Sequence, residues 1–535
     1  MSSTTTPTSQ RTIWARRLSA SACLSLTDPK FSNYLDNIAC PGGIRYEFRF
    51  PSRSNKSIGS INSSSERTEA STESDDLDLR TESEDSSPCV YLCGNSLGLQ
   101  NKKTAELILE ELNVWAERAV NGHFDHPYGR NWKDICDLVN PTLAYLVGAS
   151  SPDEVACTGS LTTNLHLMMT TFYRPTKQRY KILFEKKCFP SDMYAFTSQA
   201  ELHGLDPKDA LLMMSPRPGE YTLRTEDILS TIHREGESIA LIIFPGVQFY
   251  TGQVFPMKQI TTVGHQYGCV VGFDLAHAVG NIVLELNSWK VDFACWCSYK
   301  YLNAGPGAIA GIFLHEDWFN DPTKIGGPNG RPRLAGWFGH NADTRFKMPE
   351  EFEPIQGAGQ FVHSNPDIFS VVSLLSSLQL FASYPGGMVS LRSRSEELTS
   401  YLEICLNSSK FYIDLNSISK DEVESDDYSK TGDQVKEKVE SQEVVQNIEK
   451  SKLMFTIITP TTISERGSQL SLLFLPKGKQ ILKRVFNDLV EIHGVIGDER
   501  EPDVLRLSPV ALYNSFEDCR KACEALDSVL SSITL

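Results

Sequence analysis

The 535-residue sequence predicts an α/β protein, with a mostly parallel sheet in a large domain and a smaller α/β domain at the C-terminus. Two observations carry this. Runs at residues 180–185, 239–244, 269–273 and 291–296 are short and almost wholly apolar, the composition of strands buried on both faces. Polar, chemistry-bearing residues then follow the run ends: Asp274 after one, Ser298-Tyr299-Lys300 after the next. In open α/β sheets the crevice beyond the strand ends is where ligands bind.

The chain opens on MSSTTTPTSQRTIWARRLSA, rich in Ser and Thr with three arginines and no acid. That composition reads as an unstructured tail first and a faint targeting signal second. Residues 13–50 carry scattered apolar positions and end in RYEFRF, an arm expected to touch the main body. From 52 to 88 the sequence turns to Ser, Glu, Asp and Thr with almost nothing to bury, which predicts a disordered insertion. Order resumes at VYLCGNSLGLQ, where Gly94 and Gly98 bracket a tight turn. Next, Ile108, Leu112, Trp115 and Ala119 recur at spacings of 4, 3 and 4, which predicts a helix buried along that face. The loop that follows carries His123, either a functional side chain or a solvent-facing one.

Residues 154–173 read as a strand, a Gly-Ser turn and a helix with Ser160 as a candidate N-cap. Backbone N–H groups and hydroxyls at such a helix start form an anion site. After the run 180–185 come Phe189-Pro190-Ser191-Asp192, an aromatic able to stack on a ring and two polar contacts, or simply a Pro turn with a helix cap. The run 239–244 ends in Pro245-Gly246-Val247 and leads to Tyr250. A phenol held near a reaction centre can pass a proton, though an amphipathic aromatic at a strand end is common. In GFDLAHAVGN, Asp274 and His277 could equally be a helix cap and a core histidine. In VDFACWCSYKYLN, Lys300 lies just past a buried strand. An amine that can shed its proton there suits a Schiff base with an aldehyde cofactor, and an aspartate one strand away suits a protonated pyridine nitrogen. Cys295 and Cys297 form only a C-x-C, read as packing residues on one side of the strand.

A strand at 308–314 is expected to close the sheet, and Gly/Pro-punctuated loops then carry Trp337, Ser364 and Asn365. From about Ser383 a helix at 388–407 leads into the smaller domain, which a second acidic insertion, 418–450, interrupts. Strands near 455–458 and 470–474 and a helix at 477–493 precede VLRLSPVALYNSF. Arg506 lies there among apolar neighbours, so its guanidinium demands an anion, either a ligand carboxylate or a structural salt bridge.

The stretches around Asp274 and Lys300, with residues from about 91 to 405 and again 455–516, resemble the kynureninase family. The resemblance implies fold type I of the pyridoxal-phosphate (PLP) enzymes and a homodimer that hydrolyses kynurenines at the Cβ–Cγ bond, in the cytoplasm. It implies Lys300 at the Schiff-base position, with Leu161, Thr162, Phe189, Pro190, Ser191, Asp192, Asp274, His277, Tyr299, Trp337 and Asn365 on the cofactor. It further implies Arg506 on the substrate carboxylate, His123, Ser364 and Asn365 around the aryl ring, and Tyr250 as proton donor. Where the family commonly has serine this chain has Pro245, which removes one hydroxyl contact. The implied organisation is an arm at 1–51, an insertion at 52–88, a PLP-binding domain at 89–382 and a small domain at 383–535.

Composition limits the alternatives. Forty per cent hydrophobic residues support a sizeable core, and no apolar run reaches the eighteen residues of a membrane span. Thirteen scattered cysteines read as reduced thiols, and none has zinc spacing, so no metal is expected. The net charge of −16 is concentrated in the two acidic stretches, 66–85 with −7 and 421–450 with −6, which leaves no basic face for nucleic acid. A cysteine desulfurase of the same fold would need a reactive cysteine on a mobile loop, whereas Cys405, Cys519 and Cys523 lie in helical patterns. A binding protein that kept only the fold would be expected to lose Lys300, Asp274 or Arg506.

Overall fold

Apolar runs flanked by turn residues form strands here because, apart from the edge strand Leu211–Met214, those of the larger sheet are mostly covered on both sides. The computed structural model describes residues 10–39, 41–53, 87–418, 453–478 and 480–533. In its larger sheet, β1 (Val155–Cys157), β2 (Lys181–Glu185), β3 (Leu211–Met214), β4 (Ile239–Pro245), β5 (Val270–Asp274), β6 (Phe293–Trp296) and β7 (Gly311–Leu314) pair in the order β1-β7-β6-β5-β4-β2-β3. Neighbours are parallel except β7, which runs antiparallel to both β6 and β1. The expectation that this last strand closes the sheet is therefore corrected. It begins at Gly311 rather than 308 and lies inside, with β1 and β3 at the edges.

Successive side chains of a strand point to opposite faces, and both faces are dry. In β6, Ala294 and Trp296 enter one core with Val271 and Phe273 of β5, while Phe293 and Cys295 enter another. That second core is filled by Leu165, Met168 and Phe172 of a helix at Leu161–Phe172. Gly311 lies opposite Trp296 in register, and a Cβ there would stand 2.4 Å from the indole, so the close approach requires glycine.

The smaller sheet is antiparallel, with β8 (Met454–Ile457), β9 (Leu470–Leu475), β10 (Asp498–Arg500) and β11 (Val504–Leu507) in the order β8-β9-β11-β10. Its core includes helices at Gly387–Asn407, Ile481–Asp488 and Phe516–Ser532. The helix expected over 477–493 thus begins at Ile481 and ends in a π-turn over Leu489–His493.

Two further expectations need correction. The stretch read as an unstructured tail is helical from residue 10, in α1 (Gln10–Ala22), and α2 (Pro29–Ile38) follows within the expected arm. Phe31 and Leu35 complete the small-sheet core, and the Asp36 carboxylate accepts from the N–H groups of Phe516 and Glu517, capping the last helix. The helix α3 (Lys102–Arg118) buries Thr104, Leu107, Glu111 and Val114, whereas Leu112 and Trp115 are exposed. An acid inside the buried stripe hid that face from a reading based on apolar spacing.

Of the two acidic insertions, residues 54–86 and 419–450 lie outside the described residues. The ends of the first are ordered, since Ser52 bridges Pro88 and Cys89 donates to the Pro51 carbonyl at 2.8 Å. Among the described residues, no single helix is long and apolar enough to cross a membrane.

Candidate active site

The carboxyl ends of the parallel strands converge on one cavity of about 170 Å³, the crevice that an open α/β sheet leaves for ligands. Asp274 ends β5, and the turn after β6 delivers Tyr299 and Lys300 to the same wall. Phe189, Ser191 and Asp192 enter from the start of α5 (Pro190–Leu202), and Leu161 and Thr162 from the start of α4 (Leu161–Phe172).

Lys300 Nζ lies 2.9 Å from Nε2 of His277. Burial and the adjacent Lys300 and Arg506 charges hold the imidazole well below its usual range, so the ring is neutral and Nε2 accepts from the ammonium. Its proton then sits on Nδ1, a buried donor with no protein partner. Opposite, Asp192 and Asp274 are hydrogen-bonded carboxyls, both raised by burial. The proton belongs on Asp192, while Lys300 and the Ala276 N–H favour the anion of Asp274.

At one end of the cavity, Ser160 leaves its helix uncapped, because its hydroxyl pairs with Thr163 Oγ1 at 2.9 Å. The expected side-chain cap is absent, and the first helical N–H to bond within the chain is that of Asn164. Thr162 Oγ1 meets Ser191 Oγ at 2.6 Å, which ties the two helix starts together.

These features fit a PLP group. Open N–H groups and paired hydroxyls suit a phosphate, the Phe189 face suits a ring, Asp274 suits a pyridinium, and Lys300 lies within 5.9 Å of the Phe189 ring centre. Buried polar atoms without protein partners, Asp192 Oδ1 and His277 Nδ1, point the same way.

Other expected residues lie outside this cavity in the single chain. Pro190 occupies the first position of α5 behind it. Asn365 Nδ2 stands 3.5 Å from His123 Nε2, Ser364 is exposed, and Trp337 donates to the Arg345 carbonyl at 3.1 Å. Tyr250 packs against Ile458, Leu473 and Val504 of the smaller sheet. Arg506 is fully buried, paired with Asp498 at 2.6 Å and bonded to Ser96 Oγ and the Phe249 carbonyl. The structural salt bridge weighed for it is therefore present.

Sequence reasoning missed Glu185, Phe249 and Cys297 in the cavity wall. Glu185 closes the strand Lys181–Glu185, and no local signal marks it as a cavity residue. Cys297, read as a packing residue with Cys295, instead lines the cavity. Burial pushes its thiol up, so it is not a thiolate nucleophile. Pro245 is also in the wall, without the hydroxyl a serine would offer.

Fold and site together define a PLP-dependent enzyme of fold type I. The Aminotransferase class-V family matches residues 100–425, and the Kynureninase C-terminal domain matches residues 430–526. Solved cysteine desulfurases share the fold: CsdA from Escherichia coli superimposes with a TM-score of 0.61 at 14% identity, over 83% of this chain and 96% of that one. Curated relatives named Kynureninase are much nearer in sequence. The Vanderwaltozyma polyspora protein is 47% identical over 83% of this chain and 92% of its own length, and the Saccharomyces cerevisiae protein 45% over 84% and 94%. The chain belongs to the kynureninase family.

Proposed function

We infer that this cavity carries out the family's reaction, the PLP-dependent hydrolytic cleavage of L-kynurenine and 3-hydroxy-L-kynurenine at Cβ–Cγ to an anthranilate and L-alanine. That chemistry belongs to tryptophan catabolism and NAD biosynthesis. The observation that carries the reading is Lys300 Nζ beside a neutral His277 and across from the Asp192–Asp274 pair, at the ends of adjoining strands.

Bound PLP supplies an aldehyde carbon and an electron-accepting ring. The rest is done by the chain. Lys300 would hold the aldehyde and take the substrate α-proton; neutral His277 accepts a hydrogen bond from it and so orients Nζ. Asp274 keeps the pyridine nitrogen protonated, and Asp192 steadies that carboxylate by donating to it. Leu161, Thr162 and Ser191 hold the phosphate, Phe189 and Tyr299 border the ring, and Pro190 sets the turn that presents Phe189. Water adds at the γ-carbonyl, the Cβ–Cγ bond breaks to release the anthranilate, and Tyr250 would donate the proton that the departing or carbanionic group takes up. Arg506 takes the substrate carboxylate by exchanging part of its contact with Asp498, Ser96 or Phe249.

Trp337 and Asn365 act on the cofactor, and His123, Ser364 and Asn365 on the aryl ring, in a homodimer whose loops cross between subunits. Two features support that arrangement: these residues lie outside their own chain's cavity, and the exposed aromatics Phe124 and Phe346 pack beside His123 and Trp337. A cytoplasmic location is supported by the free thiols.

The test offers both kynurenines to the wild-type protein and to Lys300→Ala and measures alanine and the anthranilate. Wild type forms both products; product from Lys300→Ala at an undiminished rate would contradict the assignment.

A further inference from the structure

Between β4 and the smaller sheet runs a turn whose two sides are held by different parts of the molecule. Gln248 is buried, and its side chain folds back along its own loop. Its Oε1 accepts from the N–H groups of Tyr250 at 2.6 Å and Thr251 at 2.7 Å, and from Thr251 Oγ1 at 3.3 Å. Its Nε2 donates to the Lys187 carbonyl at 3.2 Å and to Glu185 Oε1 at 3.4 Å. The carbonyl side is gripped from elsewhere. Gln469 Nε2 donates to Phe249 and Tyr250 at 3.0 and 3.2 Å, Ser471 Oγ donates to Tyr250 at 2.6 Å, and Arg506 donates to Phe249.

A side-chain amide that satisfies two backbone donors and reaches a buried carboxyl in the cavity wall does more than fill space. We propose that Gln248 is a positioning residue that transmits the state of the Glu185 carboxyl to the Phe249–Thr251 turn, and so sets the place of Tyr250 during turnover.

Glu185 ends β2 and lines the cavity, and the titratable groups that face it are Asp274, Asp192 and the Cys188 thiol. Burial and the Asp274 charge push its carboxyl up to about 8. Below that pH it is neutral, and Gln248 donates to an uncharged acceptor. Above it an anion faces the Asp274 carboxylate, draws the amide donor toward itself and displaces the turn.

The inference rests on the role given to Tyr250, and the test separates the two. The kcat and KM of the holoenzyme for L-kynurenine are measured from pH 6 to 10 for wild type and for Glu185→Gln, Glu185→Ala, Gln248→Met, Gln248→Glu and Tyr250→Phe. Wild-type kcat falls above pH about 8, and Glu185→Gln loses that decline. Glu185→Ala lowers kcat and Glu185→Gln restores most of it. Gln248→Met lowers kcat about tenfold with little change in KM, as misplacement of a proton donor does. Gln248→Glu, which keeps an acceptor but loses the donor, tests the same point if the methionine variant does not fold. An alkaline decline retained in Glu185→Gln would overturn the proposal. So would full kcat in the Gln248 variants beside an impaired Tyr250→Phe, with the Tyr250 role left standing. Full kcat in Tyr250→Phe would overturn that role itself, and this inference with it.

Discussion

Glu111 shows how one side chain can decide a local structure. It is fully buried on α3, where its oxygens accept from Arg130 Nε at 2.6 Å, Trp132 Nε1 at 2.7 Å and His126 Nε2 at 3.0 Å. Removing one partner from such a cluster leaves the others buried and uncompensated, so Glu111→Ala is expected to lose about 3–5 kcal/mol. Urea denaturation monitored by circular dichroism measures this; a loss under about 1 kcal/mol would show the cluster to be replaceable. Residues whose burial depends on distant partners were the ones the sequence concealed. Glu111 and Glu185 are charged types on buried faces, and their partners come 15 or more positions away. Asp274 and Lys300 were legible because each closely follows an apolar run, so local pattern alone places them near a strand end.

At the level of elements, strands were easier to see than helix faces. Apart from the edge strand β3, which the sequence reading did not find, those of the larger sheet are mostly buried on both sides, so their composition marks them without any need for periodicity. The place of β7 was not legible, because pairing order is a property of the whole sheet; the Gly305–Gly307 turn reverses the chain and inserts it between β6 and β1. Likewise α1 has few apolar residues of its own. It is a helix beside the small-domain core, with Trp14 6.3 Å from Phe516, a contact supplied by sequence some 500 residues away. The turn leading into α4 was legible, but only the structure shows Ser160 turned aside to Thr163, leaving the N–H groups open.

Across the molecule, the two sheets meet beside the cavity, at the loop that carries Phe249. Arg506 of the smaller sheet reaches the loop that leaves β4 of the larger one, and Tyr250 of that loop packs back onto the smaller sheet. A kynurenine bound in the cavity would therefore bear on both bodies at once. The exposed aromatics beside His123 and Trp337 argue for a second copy, and light scattering is expected to give about twice the 59.7 kDa chain mass. A single-chain mass for the active enzyme would refute the subunit-crossing loops.

Covalent attachment of the cofactor to Lys300 underlies the whole account. Borohydride reduction of the PLP-loaded protein, followed by peptide mass spectrometry, tests it directly. The phosphopyridoxyl mass is predicted on Lys300, in the peptide that carries Tyr299 and Tyr301. A label on any other lysine, with Lys300 unmodified, would contradict it.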